Sequence, residues 1–138
     1  MNKIIFFFCL MFSSLLFQVE SLPLNLAKTT KSLLSVIGTG TYYDVSVGLG
    51  SCGHQSSDSE MVVAVNHGQM NNGANPNNNP HCGKKVKIIG ETGKTIMATV
   101  VDTCPGCSEG CLDMSIALFK KVCGDPSMGV CDISWDFV

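Results

Sequence analysis

The 138-residue sequence contains no arginine: its nine basic residues are all lysine, set against eleven acids. Proteins that grip nucleic acid neutralise phosphates with clustered Lys and Arg. The lysine group here, Lys84-Lys85-x-Lys87, has the spacing of a strand's solvent face, so no nucleic-acid partner is expected. Asparagine is plentiful, yet no Asn-x-Ser/Thr acceptor occurs, so N-glycosylation is not expected either. Tryptophan appears once. The apolar run from Ile4 to Phe17 stops at 14 residues, short of the roughly 20 that a membrane-spanning helix needs.

That run follows Met1-Asn2-Lys3 and leads to the small residues Val19 and Ser21. Basic start, short apolar stretch and small-residue exit make a secretory signal peptide over residues 1–21, cleaved after Ser21. The expected product is secreted and extracellular, free of the membrane after cleavage, with eight lysines against ten acids and a net charge of −2. Residues 22–37 show no clean alternation and read as a leader of uncertain structure. One domain is expected over residues 38–138.

Thr39 to Val47 is rich in β-branched and aromatic residues and suits a strand. Met61 to Asn66 is a nearly continuous apolar strand, buried on both sides or closing a barrel. Asn66 to Pro80 gathers seven asparagines with Gly and Pro and reads as an exposed loop. Lys85–Ile89 and Lys94–Asp102 form a hairpin across a Gly90-Glu91-Thr92-Gly93 turn. Ser115 to Val122 is a helix, with Ile116, Phe119 and Val122 on one face and Lys120 and Lys121 outside. Cys131 to Phe137 closes the domain as a strand alternating Ile133, Trp135 and Phe137.

Chemistry concentrates in Val100-Val101-Asp102-Thr103-Cys104-Pro105-Gly106-Cys107-Ser108-Glu109-Gly110-Cys111-Leu112-Asp113-Met114-Ser115. A strand ends on the carboxylate of Asp102, and a Pro-Gly turn joins two cysteines. Asp113 follows the third cysteine by two residues. Two acids around three sulfurs have the look of a site. They are also what a strand end and a helix cap require, with Asp113 or Ser115 as the cap.

This stretch resembles the signature of RlpA-like double-psi β-barrel domains, V-x-D-x-C-P-x-C followed by (L/I)-D-(L/M)-S. The group takes in the first domain of expansins, barwin-like and plant-natriuretic-peptide-like proteins, and small secreted fungal proteins. Gly40-Thr41-Tyr42-Tyr43-Asp44, Ser51-Cys52-Gly53, His81-Cys82-Gly83-Lys84-Lys85 and Ile133-Ser134-Trp135-Asp136-Phe137 match in order. The resemblance spans residues 38 to 138. It implies an all-β, six-stranded double-psi β-barrel with one short helix, linked by disulfides.

Seven cysteines remain after cleavage, an odd number, which leaves one thiol over or one bond between chains. The resemblance implies Cys52–Cys82 and Cys104–Cys107, with Cys123–Cys131 stapling the helix to the last strand and Cys111 left over. A monomer is expected unless Cys111 pairs between chains. Cys104, Cys107 and Cys111 with His81 suggest zinc ligands. An oxidising compartment and the lack of a second Cys-x₂-Cys or His-x₃-His pair argue against it, so neither metal nor cofactor is expected.

In expansins and related endoglucanases the Asp matching Asp113 lies in a polysaccharide groove, and in the hydrolases it is the general acid. The catalytic candidates are therefore Asp113 with Asp44 or Asp102. Thr41 and Tyr43 belong to the segment that lines the groove in relatives. Three departures bear on activity. Expansins carry a second domain with exposed aromatics that is not expected here. Cys104 stands where some bacterial expansins have an aromatic. The Glu that RlpA transglycosylases pair with the Asp matching Asp102 has no counterpart.

The expectation is a non-catalytic module that interacts with cell-wall or matrix polysaccharide through Thr41, Tyr43, Asp102 and Asp113. Its alternatives are a glycan-cleaving enzyme and a protein-binding module, such as a cysteine-protease inhibitor or secreted signal.

Overall fold

The computed structural model describes residues 35–138. The expected signal peptide and most of the leader lie outside the described residues. Six strands, β1 (Val36–Tyr42), β2 (Val62–Asn66), β3 (Lys85–Ile89), β4 (Thr95–Cys104), β5 (Leu112–Met114) and β6 (Cys131–Phe137), close a barrel in the order β1-β5-β2-β4-β3-β6. The β1–β5 and β2–β4 pairs are parallel and the other four antiparallel. Two helices, α1 (His67–Met70) and α2 (Ile116–Val122), pack outside it.

The core follows from the sequence pattern. Every residue of β2 is buried, because its strand is paired on both sides and its faces are both covered. In β3 and β6 burial alternates, placing Val86, Ile88, Ile133 and Trp135 inside. Phe119 and Val122 of α2 are fully buried, joined by Leu118, each contributing about 1.5–3 kcal/mol. Ser115 caps α2 by accepting from the Leu118 N–H at 3.2 Å. Asp113 is two residues too early for that role and belongs to β5.

Three of these details differ from the sequence reading. β1 begins at Val36, three residues before the expected Thr39, and ends at Tyr42 rather than Val47. The Tyr43 N–H still reaches the Met114 carbonyl, but Asp44 then folds its carboxylate back onto the Ser46 N–H at 2.9 Å, making a turn. The pattern around Cys111–Ser115 announces a helix start and no strand, yet Leu112–Met114 is a three-residue strand between β1 and β2. The asparagine-rich stretch is not exposed throughout: Asn66 and Asn79 are buried. Asn66 caps α1, and Asn79 donates to the Met70 carbonyl at 2.8 Å.

The parallel β1–β5 pair depends on two glycines. A Cβ on Gly38 would sit 2.1 Å from the Gly110 carbonyl oxygen, and Gly110 holds φ +83°, where side chains are strained. Disulfides join Cys52–Cys82, Cys104–Cys107 and Cys123–Cys131. Among the described residues Cys111 is unpaired. No helix of the described residues is long and apolar enough to cross a membrane.

Candidate functional site

Ala64 of β2 is opposite Asp102 on one side and Asp113 on the other. Strands lie about 4.8 Å apart, so these two acids project from positions roughly 10 Å apart, on either side of one buried alanine. Thr41 is opposite Asp113 on the far side of β5, and its hydroxyl donates to the Asp113 carboxylate at 2.8 Å. The Tyr43 hydroxyl donates to Asp102 at 3.3 Å. The barrel therefore brings Thr41, Tyr43, Asp102 and Asp113 to one end, in two hydroxyl–carboxylate pairs.

The acids differ in environment. Asp102 accepts from the backbone N–H of Ser51 and of Thr103, both at 2.7 Å, in addition to Tyr43. Three donors occupy most of the roughly four lone-pair positions of a carboxylate. Asp113 is half-buried, and burial pushes its carboxyl above the usual carboxylate range. The Thr41 hydrogen bond opposes that rise, and the nearby negative charge of Asp102 adds to it. Tyr43 is pushed well up by burial, then by Asp102 and Asp113, and stays a neutral donor.

Asp44 is separate. It is fully exposed, and its hydrogen bonds to Ser46 lower its pKa. It touches the rim of a pocket that Tyr43 and Asp102 also line, but it serves its own turn. His81 stacks on Phe137 at 4.6 Å between ring centroids and is absent from the cleft that Cys104, Cys107 and Cys111 share. The Cys104 and Cys107 sulfurs and an Asp113 oxygen lie within 4.8 Å of one another. Those sulfurs are bonded to each other, so they offer no thiolate to a cation.

Sequence reasoning missed three supporting groups. Ser51 ties the preceding loop to Asp102 by its N–H, and its hydroxyl lies 2.8 Å from that of Thr103. Asn72 donates to the same Thr103 hydroxyl at 2.8 Å, which anchors the asparagine-rich loop beside the site. These residues are far apart in the chain, and short polar side chains carry no periodic signal.

The closed barrel with two parallel pairs, carrying this motif, defines a double-psi β-barrel domain. No family model matches the sequence. The papain inhibitor of Streptomyces mobaraensis is 34% identical over 102 residues, covering 73% of this chain and 70% of the inhibitor. The solved Streptomyces papain inhibitor superposes with a TM-score of 0.67 at 36% identity, over 75% of this chain and 94% of that one. Clavibacter michiganensis expansin, solved as a mutant in complex with cellohexaose, gives a TM-score of 0.63 at 29% identity, over 76% of this chain and 50% of the expansin. Kiwellin of Actinidia chinensis is 32% identical over 92 residues, 57% of this chain. The chain spans 40% of kiwellin's length, and 28% of a fungal allergen homologue of Arthroderma benhamiae that is 43% identical over 86 residues. The chain belongs to the barwin/expansin-like double-psi β-barrel family.

Proposed function

We propose that the protein is a secreted, non-catalytic module that binds cell-wall or matrix polysaccharide across the face bearing Thr41, Tyr43, Asp102 and Asp113. The observation that carries this reading is the pair of acids flanking Ala64, each with a hydroxyl partner. Asp113 is half-exposed and has acceptor capacity beyond Thr41, which suits the hydroxyl groups of a sugar. The structural likeness to an expansin bound to cellohexaose supports the class of ligand. A hydrolytic role fits less well. Burial gives Asp113 the character of an acid, but a partner base must activate water, and Asp102 is engaged by three donors. Pull-down on insoluble cellulose, chitin and peptidoglycan, with reducing-sugar release measured alongside, tests this. Binding without release is expected; release would make the protein an enzyme.

A second reading, a protein-binding module of the cysteine-protease-inhibitor type, draws on the papain inhibitor likeness and on the loop after β1. Val47 and Leu49 there are 81% and 70% exposed. The loop beneath them is braced: Gln55 donates to the Ser46 carbonyl at 2.9 Å, and the Val45 N–H donates to Asp58 at 3.1 Å. A rigid loop with apolar tips loses little entropy on docking. Inhibition of papain, abolished by Val47→Asp with Leu49→Asp, would favour this reading over the first.

A further inference from the structure

The three cysteines of the central stretch line one cleft. Cys104 is opposite Asn66 on β4, and on the other side of Asn66 its side-chain amide donates to the Cys111 carbonyl at 3.2 Å. Cys111 precedes Asp113 by two residues, just before β5, and both line the same cleft. The Asp113 carboxylate is itself within 4.8 Å of both sulfurs of the Cys104–Cys107 bond. Cys104, Cys107, Cys111 and Asp113 line one open cleft of ≈ 380 Å³. A free thiol thus shares a solvent-accessible cleft with a disulfide.

That disulfide has the least to do as a staple. It joins residues only three apart, against 30 for Cys52–Cys82 and eight for Cys123–Cys131. The constraint placed on the unfolded chain grows with loop length, so it constrains least. Its Pro105-Gly106 turn is exposed, and the Cys111 N–H donates to the Ser108 carbonyl at 3.0 Å in a turn that folds the chain back towards Cys107. Thr39 is the polar neighbour of the free sulfur, its hydroxyl 3.1 Å from Cys111 Sγ.

We propose that Cys104, Cys107 and Cys111 form a thiol–disulfide exchange site. Cys111 loses its proton to solvent, and its thiolate attacks Cys107 Sγ. The Cys107–Cys111 bond forms, the Cys104–Cys107 bond breaks, and Cys104 leaves as a thiolate carrying the electron pair. One disulfide and one thiol are present before and after, so no oxidant is consumed. The free thiol moves between the loop end and the strand end beside Asp113, where it meets disulfides of small molecules or of other proteins. The exchange does not depend on glycan binding.

The test is to hold the purified protein at pH 8, where thiol–disulfide exchange proceeds, and then alkylate rapidly at low pH. Non-reducing digestion with cleavage after Glu109 separates Cys111 from Cys104 and Cys107. Label at both Cys111 and Cys104, with a Cys107–Cys111-linked peptide, is the expected result. Label confined to Cys111 would overturn the proposal. Cys104→Ser gives a second reading: in a glutathione redox buffer Cys107 and Cys111 should join and leave no free thiol. Two alkylated cysteines in that folded variant would also refute it.

Discussion

Trp135 donates its indole N–H to the carbonyl of Gly110 at 2.8 Å, inside the barrel. The bond joins β6 to the turn just before β5, where Gly38 and Gly110 are in contact. The same carbonyl would be left buried and unpaired by Trp135→Phe, a cost of about 1–3 kcal/mol. At roughly 4–8 °C per kcal/mol for a domain of this size, the Tm should fall clearly. Gly110→Ala should cost at least as much, since its Cβ would meet the Ile37 carbonyl oxygen at 2.4 Å and φ is +83°. Thermal unfolding followed by circular dichroism measures both, and an unchanged Tm in either variant would contradict the contact.

The Cys52–Cys82 bond ties the loop behind Asp102 to the segment before β3, across 30 residues. The chain-entropy estimate gives it roughly 3–4 kcal/mol, a large part of the usual ~5–15 kcal/mol of a domain. Replacing both cysteines by alanine should sharply lower the denaturant midpoint. The Ser51 N–H bond to Asp102 sits next to this bridge, so polysaccharide binding should weaken in the same variant.

Asp113→Asn separates structure from recognition. The amide keeps the shape and the Thr41 contact but loses the charged acceptor. At neutral pH, binding to insoluble glycan should weaken while the Tm stays level or rises, because the buried charge that raises the native pKa is gone. The sign with pH follows. A carboxyl whose native pKa is raised binds its proton more tightly folded than unfolded, so stability falls as pH rises through that interval. Below the ordinary carboxylate range the two proteins should melt alike. Above the raised value the wild type should melt lower, and a Tm gap independent of pH would contradict this.

Tyr43→Phe removes one of the three donors to Asp102. A net cost of about 0.5–1.5 kcal/mol is expected. Burial and the two carboxylates hold Tyr43 protonated. Spectrophotometric titration should therefore lose a late-ionising phenol in this variant, one that in the wild type ionises only as the fold opens.

Much of this fold is legible in the sequence. Alternation in Cys131–Phe137 and the apolar run at Val62–Val65 mark barrel strands, and Ser115 marks the start of α2. Leu112–Met114 escaped because three residues are too few to show a period, although Leu112 and Met114 are buried around a half-buried Asp113. Asn66 and Asn79 escaped for another reason. Asparagine reads as loop in any composition, and only the folded chain reveals that their amides satisfy buried backbone groups. The joining of Asp102 to Ser51 and Tyr43 spans 51 and 59 residues, beyond any local pattern.

Closure of the six strands has a consequence for evolution and for partners. A sheet with every strand paired on both sides offers no row of free N–H and C=O groups for another chain to extend. Among the described residues the closed order leaves no open edge strand, which disfavours strand addition and the edge-to-edge association that leads to fibres. What meets this protein is read by side chains, on the outer faces and ends of the barrel and on the loops between strands. Those loops are free to diverge, because the hydrogen-bonded ring beneath them remains intact when they change.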